Sequence, residues 1–236
     1  MDTAGYSAAL KRQILADHFL LRELTPTERE ALLAYARVEH YRAGQTIFLK
    51  GSPGRGMLAV LRGRVRISAS SPDGREIVLN TIDQGEVFGE IALLDGKERS
   101  ADAVAIVECD LLAIERRDFV PFLENHAGLA LRLIAVLCER LRRTTQQVED
   151  VLFLDLPSRL AKKLLDLAAT RAQRTPSGLR FEAKLSQREI GTMIGLSRES
   201  VNKQLAQWQQ EGIVAVEKGV ITIADEAALR DLVPPQ

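Results

Sequence analysis

Between Ala127 and Phe153 the apolar positions Ala130, Ile134, Leu137, Leu141, Val148 and Val151, with Thr144 in the remaining register, are separated alternately by four and three residues. That is a heptad seam, and it predicts one long amphipathic helix in need of a second. No other long segment carries a matching stripe, so the expected partner is the same helix of a second copy, in a two-fold homodimer. Upstream the period shortens. From Tyr41 on, alternating runs such as Val65-Arg66-Ile67-Ser68 and Ile77 to Ile82 are punctuated by Gly63, Gly74, Gly85 and Gly96, one every eleven residues. Short strands at that spacing predict an antiparallel sandwich or barrel, continuing through Ala103–Val107 and Leu111–Ile114, with Pro72-Asp73-Gly74-Arg75 as a hairpin turn. Residues 1 to about 42 read as helical. Thr25-Pro26-Thr27-Glu28 supplies a cap, a first-turn proline and a capping box, and Leu24, Leu32, Leu33 and Tyr35 supply an apolar face. A short helix over Asp118–Leu123 leads into the long one.

The long helix must stop near Leu156, because Pro157 disfavours helical geometry at the residue before it, while Asp155 caps a new helix through Leu160, Leu164, Leu165 and Leu167. A hinge is expected at Leu154 to Pro157. Arg171 to Gly178 reads as a surface loop and Leu179 to Leu185 as a short strand. Ser186-Gln187-Arg188-Glu189 is a second capping box, Gly195 breaks that helix, and Ser197 caps another that buries Val201, Leu205 and Trp208. Ile213–Val216, Glu217-Lys218-Gly219 and Val220–Ile223 make strand, tight turn and strand. Two short capped helices joined at a glycine, with small Gly191 at their crossing and a hairpin behind, predict a winged helix-turn-helix. The fold class is α+β: a barrel domain with N-terminal helices over 1–126, a dimerisation helix and hinge over 127–156, and a winged helix-turn-helix over 157–236.

Composition changes this picture little. The 32 basic and 32 acidic residues cancel over the whole chain, but twelve basic and nine acidic residues follow Pro157, a modest excess of positive charge at the C-terminal end. The two cysteines have no near partner and the three histidines fall at no metal-ligand spacing, so neither disulfide nor metal is expected. With no membrane-length apolar run and no signal pattern, a cytoplasmic chain without membrane contact is expected.

Two constellations carry chemistry. In Phe88-Gly89-Glu90-Ile91-Ala92-Leu93-Leu94, followed by Asp95-Gly96-Lys97-Glu98-Arg99-Ser100-Ala101, glycine lets main-chain N–H groups approach an anion. Arg99 grips an anionic oxygen pair, Ser100 donates another bond, and Glu90 accepts from sugar hydroxyls. Those are the needs of a nucleotide with one phosphate. The competing reading is a surface ion pair between Glu90 and Arg99 of little consequence. Gly51-Ser52-Pro53-Gly54-Arg55-Gly56 reads as a plain loop between strands. The second constellation is Arg198, Glu199, Asn202 and Lys203, together at the start of the second helix of the helix-turn-helix, where such side chains read guanine and cytosine edges. Lys218 in the wing turn suits a backbone phosphate. A symmetric dimer carrying two such helices fits palindromic duplex DNA. No nucleophile, base and orienter set is visible, so the chain is not expected to be an enzyme.

The cassette from Phe88 to Ala101, the run Arg140-Leu141-Arg142-Arg143-Thr144-Thr145, and Glu189-Ile190-Gly191 with Ser197-Arg198-Glu199-Ser200-Val201 occur in one order from about Tyr41 onward. That order closely resembles the cyclic-AMP receptor branch of the bacterial CRP/FNR regulators. The resemblance implies a cyclic-nucleotide-binding jelly-roll barrel, a dimerisation helix, and DNA binding switched by a cyclic purine nucleotide, cyclic AMP or cyclic GMP. It implies a cassette of Gly89, Glu90, Ile91, Ala92, Arg99, Ser100 and Ala101, with Glu90 on the ribose 2′-hydroxyl and Arg99 with Ser100 on the cyclic phosphate. Thr144, and Thr145 of the partner subunit, would meet the purine, and the Arg171 to Gly178 loop would be placed for RNA polymerase. Three departures stand out. The cassette is one residue shorter than in the best-known member, and Thr145 stands where that member has serine, which leaves the choice of purine open; Lys203 stands where the family often has arginine. Within the same resemblance, a regulator with another ligand or none, and a nucleotide-binding subunit that does not bind DNA, are the alternatives.

Overall fold

The computed structural model describes residues 25–71 and 76–234. The Pro72-Asp73-Gly74-Arg75 turn and the helical reading of residues before Thr25 lie outside the described residues. Helix α1 (Pro26–Ala34) opens on the expected capping box: the Glu28 amide donates to Thr25 Oγ1 at 3.3 Å and the Thr25 amide to Glu28 Oε2 at 2.7 Å. Helical structure does not run on to residue 42. Arg37–Tyr41 is strand β1, paired antiparallel with β8 (Cys109–Glu115), because Val38 is buried against that sheet while its sequence neighbours are not. Tyr35, expected on the helix's apolar face, follows the helix end and is 59% exposed.

The barrel is two four-stranded sheets. One has the order β1-β8-β3-β6, with β3 at Gly56–Arg62 and β6 at Val87–Phe88; the other has β2-β7-β4-β5, with β2 at Thr46–Phe48, β4 at Val65–Ser70, β5 at Glu76–Ile82 and β7 at Asp102–Ala105. Strand β3 explains the layering. Leu58 and Val60 face a core shared with Val65, Ile82, Phe88, Ala103 and Leu111, whereas Met57, Ala59 and Leu61 face a second core with Leu32, Phe119, Leu129 and Leu133. Both faces of β3 and β8 are therefore covered, which is why those strands read as unbroken apolar runs. The covering helices are α1, α3 (Arg116–Glu124) and the first turns of α4 (Ala127–Phe153). Burying each of Phe119, Leu129 and Leu133 contributes roughly 1.5–3 kcal/mol.

The chain divides into two compact units at Leu141/Arg142, inside α4, and Glu76–Val78 at the start of β5 groups with the second unit. In the C-terminal unit, Asp155 caps α5 (Leu156–Arg171), its carboxylate accepting from the Ser158 amide at 2.9 Å. The Arg171 to Gly178 stretch is not a loop. It forms most of a hairpin, β9 (Ala172–Thr175) with β10 (Gly178–Phe181), joined to β12 (Val220–Ile223) and β11 (Val214–Glu217) in the sheet order β11-β12-β10-β9. Against it pack α6 (Gln187–Ile194), α7 (Arg198–Gln210) and α8 (Glu226–Asp231), around Leu160, Leu164, Phe181, Ile190, Val201 and Trp208. This is a winged helix-turn-helix.

Candidate functional site

The first site is the corner from β6 into α2 (Glu90–Asp95), a short helix. Gly89 precedes it at φ +78°, a left-handed dihedral that favours glycine, and a Cβ there would stand 2.5 Å from Arg99 Nη1 and displace the guanidinium. The Gly51–Gly56 segment, read as a plain loop, is the wall of this corner. A Cβ on Gly54 would stand 2.2 Å from the Ala92 Cβ, the Gly51 amide donates to the Arg99 carbonyl at 2.8 Å, and the Arg99 amide donates to the Ser52 carbonyl at 2.9 Å. Three glycines in six residues were the available signal.

Glu90 and Arg99 do not form the surface ion pair weighed from the sequence. They are 1% and 8% exposed, and each has a different partner. Arg99 Nη1 donates to the Gly89 carbonyl at 2.8 Å, and the guanidinium lies 4.2 Å from the Phe48 ring centroid, a cation–π contact. Burial holds the Arg99 guanidinium below its ordinary value, partly opposed by the charge of Glu90. Glu90 Oε1 is ion-paired with Arg140 of α4, which also donates to the Val87 carbonyl. In this corner two buried side-chain atoms have no partner among the described residues, Glu90 Oε2 and Arg99 Nε. Buried polar groups without partners are uncommon, and here an acceptor and a donor occur in one corner. Of the other cassette residues, Ala92 and Ala101 are buried, Ser100 is exposed, and Ile91 turns its side chain outward at 44% exposure. Arg140 was not singled out from the sequence, where it looked like one member of a basic helix run.

On α4, Thr144 and Thr145 are exposed, and so are Ile134, Leu141, Val148 and Val151 of the heptad seam, at 48 to 67%. Leu131, Leu152 and Phe153 extend the apolar surface. A contiguous apolar face on a charged helix marks an interaction surface.

The helix-turn-helix is built by local chemistry. The Glu189 amide donates to Ser186 Oγ at 3.1 Å and the Ser186 amide to Glu189 Oε2 at 2.9 Å, closing the box that starts α6. Gly195 ends it at φ +69°, and a Cβ on Gly191 would come within 2.5 Å of the Leu196 carbonyl, so only glycine allows this close turn. Ser197 Oγ accepts from the Ser200 amide at 3.1 Å and starts α7. Val201, Leu205 and Trp208 point into the core, which leaves Arg198, Glu199, Asn202 and Lys203 exposed together on the opposite face. The Glu199 carboxyl is held below its ordinary range by its own backbone amide and by Ser197. Lys218, at φ +52°, and Gly219, at φ +84°, make the turn between β11 and β12 and present Lys218 to solvent.

Comparison with known proteins agrees with both units. Residues 38–126 match the cyclic nucleotide-binding domain model and residues 158–232 the Crp-like helix-turn-helix domain model. The CRP-like cAMP-activated global transcriptional regulator of Mycobacterium tuberculosis is 32% identical over 217 residues, covering 92% of this chain and 97% of that protein. The cyclic AMP receptor protein of Thermus thermophilus is 32% identical over 213 residues, covering 90% and 95%. Among solved structures, the c-di-GMP responsive global regulator CLP of Xanthomonas campestris superposes with a TM-score of 0.76 at 26% identity, over 84% of this chain and 99% of that one.

Proposed function

The chain belongs to the CRP/FNR family of transcription regulators, and from that premise we propose that it is a homodimer whose binding to palindromic DNA is switched by cyclic AMP, with cyclic GMP the competing purine. It is a cyclic-nucleotide-dependent DNA-binding regulator and not an enzyme. The observation that carries the ligand reading is the orphaned pair, Glu90 Oε2 and Arg99 Nε. A ribose 2′-hydroxyl suits the first and a cyclic phosphate oxygen the second, with the exposed Ser100 hydroxyl beside Arg99 as a further donor. Gly89, Ile91, Ala92 and Ala101 give backbone and close packing to the same cassette. The heptad seam left exposed on α4 supports a second copy as its occupant, and in this reading Thr144, and Thr145 of the partner subunit, meet the purine. Arg198, Glu199, Asn202 and Lys203 read bases and Lys218 holds a phosphate. The domain limits proposed are 1–126, 127–156 and 157–236. The protein works in the cytoplasm, with the β9–β10 hairpin as its polymerase-facing surface. No single helix among the described residues is long and apolar enough to cross a membrane.

Ligand would act by shifting a population. If it favours one arrangement of the Leu154–Pro157 break, that arrangement sets the spacing of the two recognition helices and so the affinity for two half-sites. Calorimetry tests the ligand reading. Arg99→Ala or Glu90→Ala should each weaken cyclic-nucleotide binding by about 2 kcal/mol, the scale of a lost charge-assisted hydrogen bond. A 2′-deoxy ligand should bind less tightly to the native protein yet be indifferent to Glu90→Ala. Unchanged affinity in Arg99→Ala would exclude the assignment.

A further inference from the structure

Helix α2 is too short to satisfy its own C-terminal carbonyls. Gly96, at φ +72°, closes it by donating its amide to the Ala92 carbonyl at 3.1 Å. The next carbonyl, that of Leu93, is taken by a side chain from another element: Arg116, the first residue of α3, donates its Nε–H at 2.7 Å. The guanidinium lies along the closing turn, where a Cβ on Gly96 would meet its Nη2, Cζ and Nε at 3.7–3.8 Å. A cation at this end of a helix is also favoured by the peptide dipoles. The main chain of the same residue reaches elsewhere. The Arg116 amide donates at 2.8 Å to the carbonyl of Arg55, in the Gly51–Gly56 wall, and that wall holds the Arg99 main chain through Gly51 and Ser52. One arm of Arg116 thus fastens the helix that carries Glu90, and the other fastens the wall that carries Arg99.

We propose that Arg116 is a positioning residue for nucleotide binding, which fixes the separation of Glu90 from Arg99, the two groups the ligand must bridge. This rests on the cassette reading above. Arg116 sits at the opposite end of α2 from Glu90 and acts on it through Leu93, without touching ligand. It is exposed, so removing its guanidinium strands no buried charge and opens no cavity, and water can replace it at the Leu93 carbonyl. What is lost is alignment. Hydrogen bonds weaken steeply with misplacement, so a small roll of α2 withdraws Glu90 from the ribose hydroxyl. Arg99, held separately by the Gly89 carbonyl and the Phe48 ring, keeps the phosphate.

Calorimetry on the full chain is the test, with cyclic AMP or cyclic GMP, whichever binds more tightly, and with its 2′-deoxy analogue. The quantity read is the ratio of the two affinities. It should be about tenfold in the native protein, the scale of one hydrogen bond to a charged group, and about threefold or less in Arg116→Met, which keeps the stem and removes the donors. The 2′-deoxy ligand itself should bind native and variant alike. Arg116→Lys, which keeps a cationic donor for the Leu93 carbonyl, should restore most of the ratio. In a Glu90→Ala background, Arg116→Met should weaken the 2′-hydroxyl ligand no further, because the group it aligns is gone. Should Arg116→Met not fold, Arg116→Gln reads the same ratio. A merely structural role would lower the melting midpoint and both affinities together and leave the ratio unchanged. The proposal is overturned if the ratio in Arg116→Met equals the native one, if Arg116→Lys is no better than Arg116→Met, or if Arg116→Met acts as strongly without Glu90 as with it. Those outcomes leave the cassette reading standing. A native protein that binds both ligands alike overturns that reading, and this proposal with it.

Discussion

Replacing Arg140 by alanine removes the only partner, among the described residues, of a carboxylate that is 1% exposed, and it does so within the barrel unit. Glu90 Oε2 already lacks a hydrogen bond, so after Arg140→Ala both carboxylate oxygens are buried and unpaired, and the Val87 carbonyl loses a donor as well. Stripping one partner from a buried ion pair costs about 3–5 kcal/mol, mostly the penalty for the charge left behind. The Arg140 side chain is 21% exposed, so water reaches the vacated side and lowers the figure to about 2–3 kcal/mol. At roughly 2–4 °C per kcal/mol for a chain of this size, the melting midpoint should drop by about 5–10 °C. Urea and thermal unfolding of four proteins make the cycle: native, Arg140→Ala, Glu90→Gln and the double variant. The double variant should recover most of the loss, because an amide carries no charge to strand. A shift of less than about 0.5 kcal/mol in Arg140→Ala, or a double variant no better than the single one, would show that the contact does not carry this energy.

Valine at both Thr144 and Thr145 should leave the dimer intact or tighten it by sedimentation, since valine is nearly isosteric and suits a heptad seam, while the nucleotide response of DNA binding falls. If full response persists and the preference between adenine and guanine ligands is unchanged, the two hydroxyls are merely structural. Glu199→Ala should relax selection at one base pair of each half-site, whereas Lys218→Ala should weaken all sequences alike and reduce the salt slope by about one. Selection from a random duplex pool checks both, and an unchanged consensus in Glu199→Ala would remove that residue from base reading. Asp155→Ala should cost about 1 kcal/mol near neutral pH through the lost cap on the Ser158 amide. The Ser158 hydroxyl first, and then this amide, hold the Asp155 carboxyl below its ordinary 3.8, so the carboxylate's contribution is complete above that value and disappears as pH falls through the lowered one. Denaturation midpoints of native and variant should therefore converge in acid.

Local signals were the legible part of the fold. Thr25-Pro26-Thr27-Glu28, Asp155-Leu156-Pro157 and Ser186-Gln187-Arg188-Glu189 each place a helix start within a residue, because caps satisfy N–H groups only three positions away. Arg37–Tyr41 was not legible. Its helical reading followed from the residues upstream, whereas its strand exists only because β8, seventy residues later, offers a ladder. The hairpin at Ala172–Phe181 failed for the same reason: a polar segment with a proline and a glycine looks like loop until β12 pairs with it.

The same limit explains the cassette. Glu90 and Arg99 are opposite charges on either side of a glycine corner, and spacing alone cannot distinguish two groups that neutralise each other from two that are held apart. What decides between these is Arg140, fifty residues beyond Glu90, whose basic neighbours Arg142 and Arg143 make it look like part of a solvated face. With Arg140 on Glu90, the carboxylate belongs to the long helix; with its Nη1 on the Gly89 carbonyl and its ring contact to Phe48, Arg99 belongs to the barrel. A nucleotide that satisfies both orphaned atoms therefore joins a helix-bound group to a barrel-bound one. Its binding energy then depends directly on where the helix lies, and a sensor needs that dependence if ligand affinity is to be exchanged for a change in helix position.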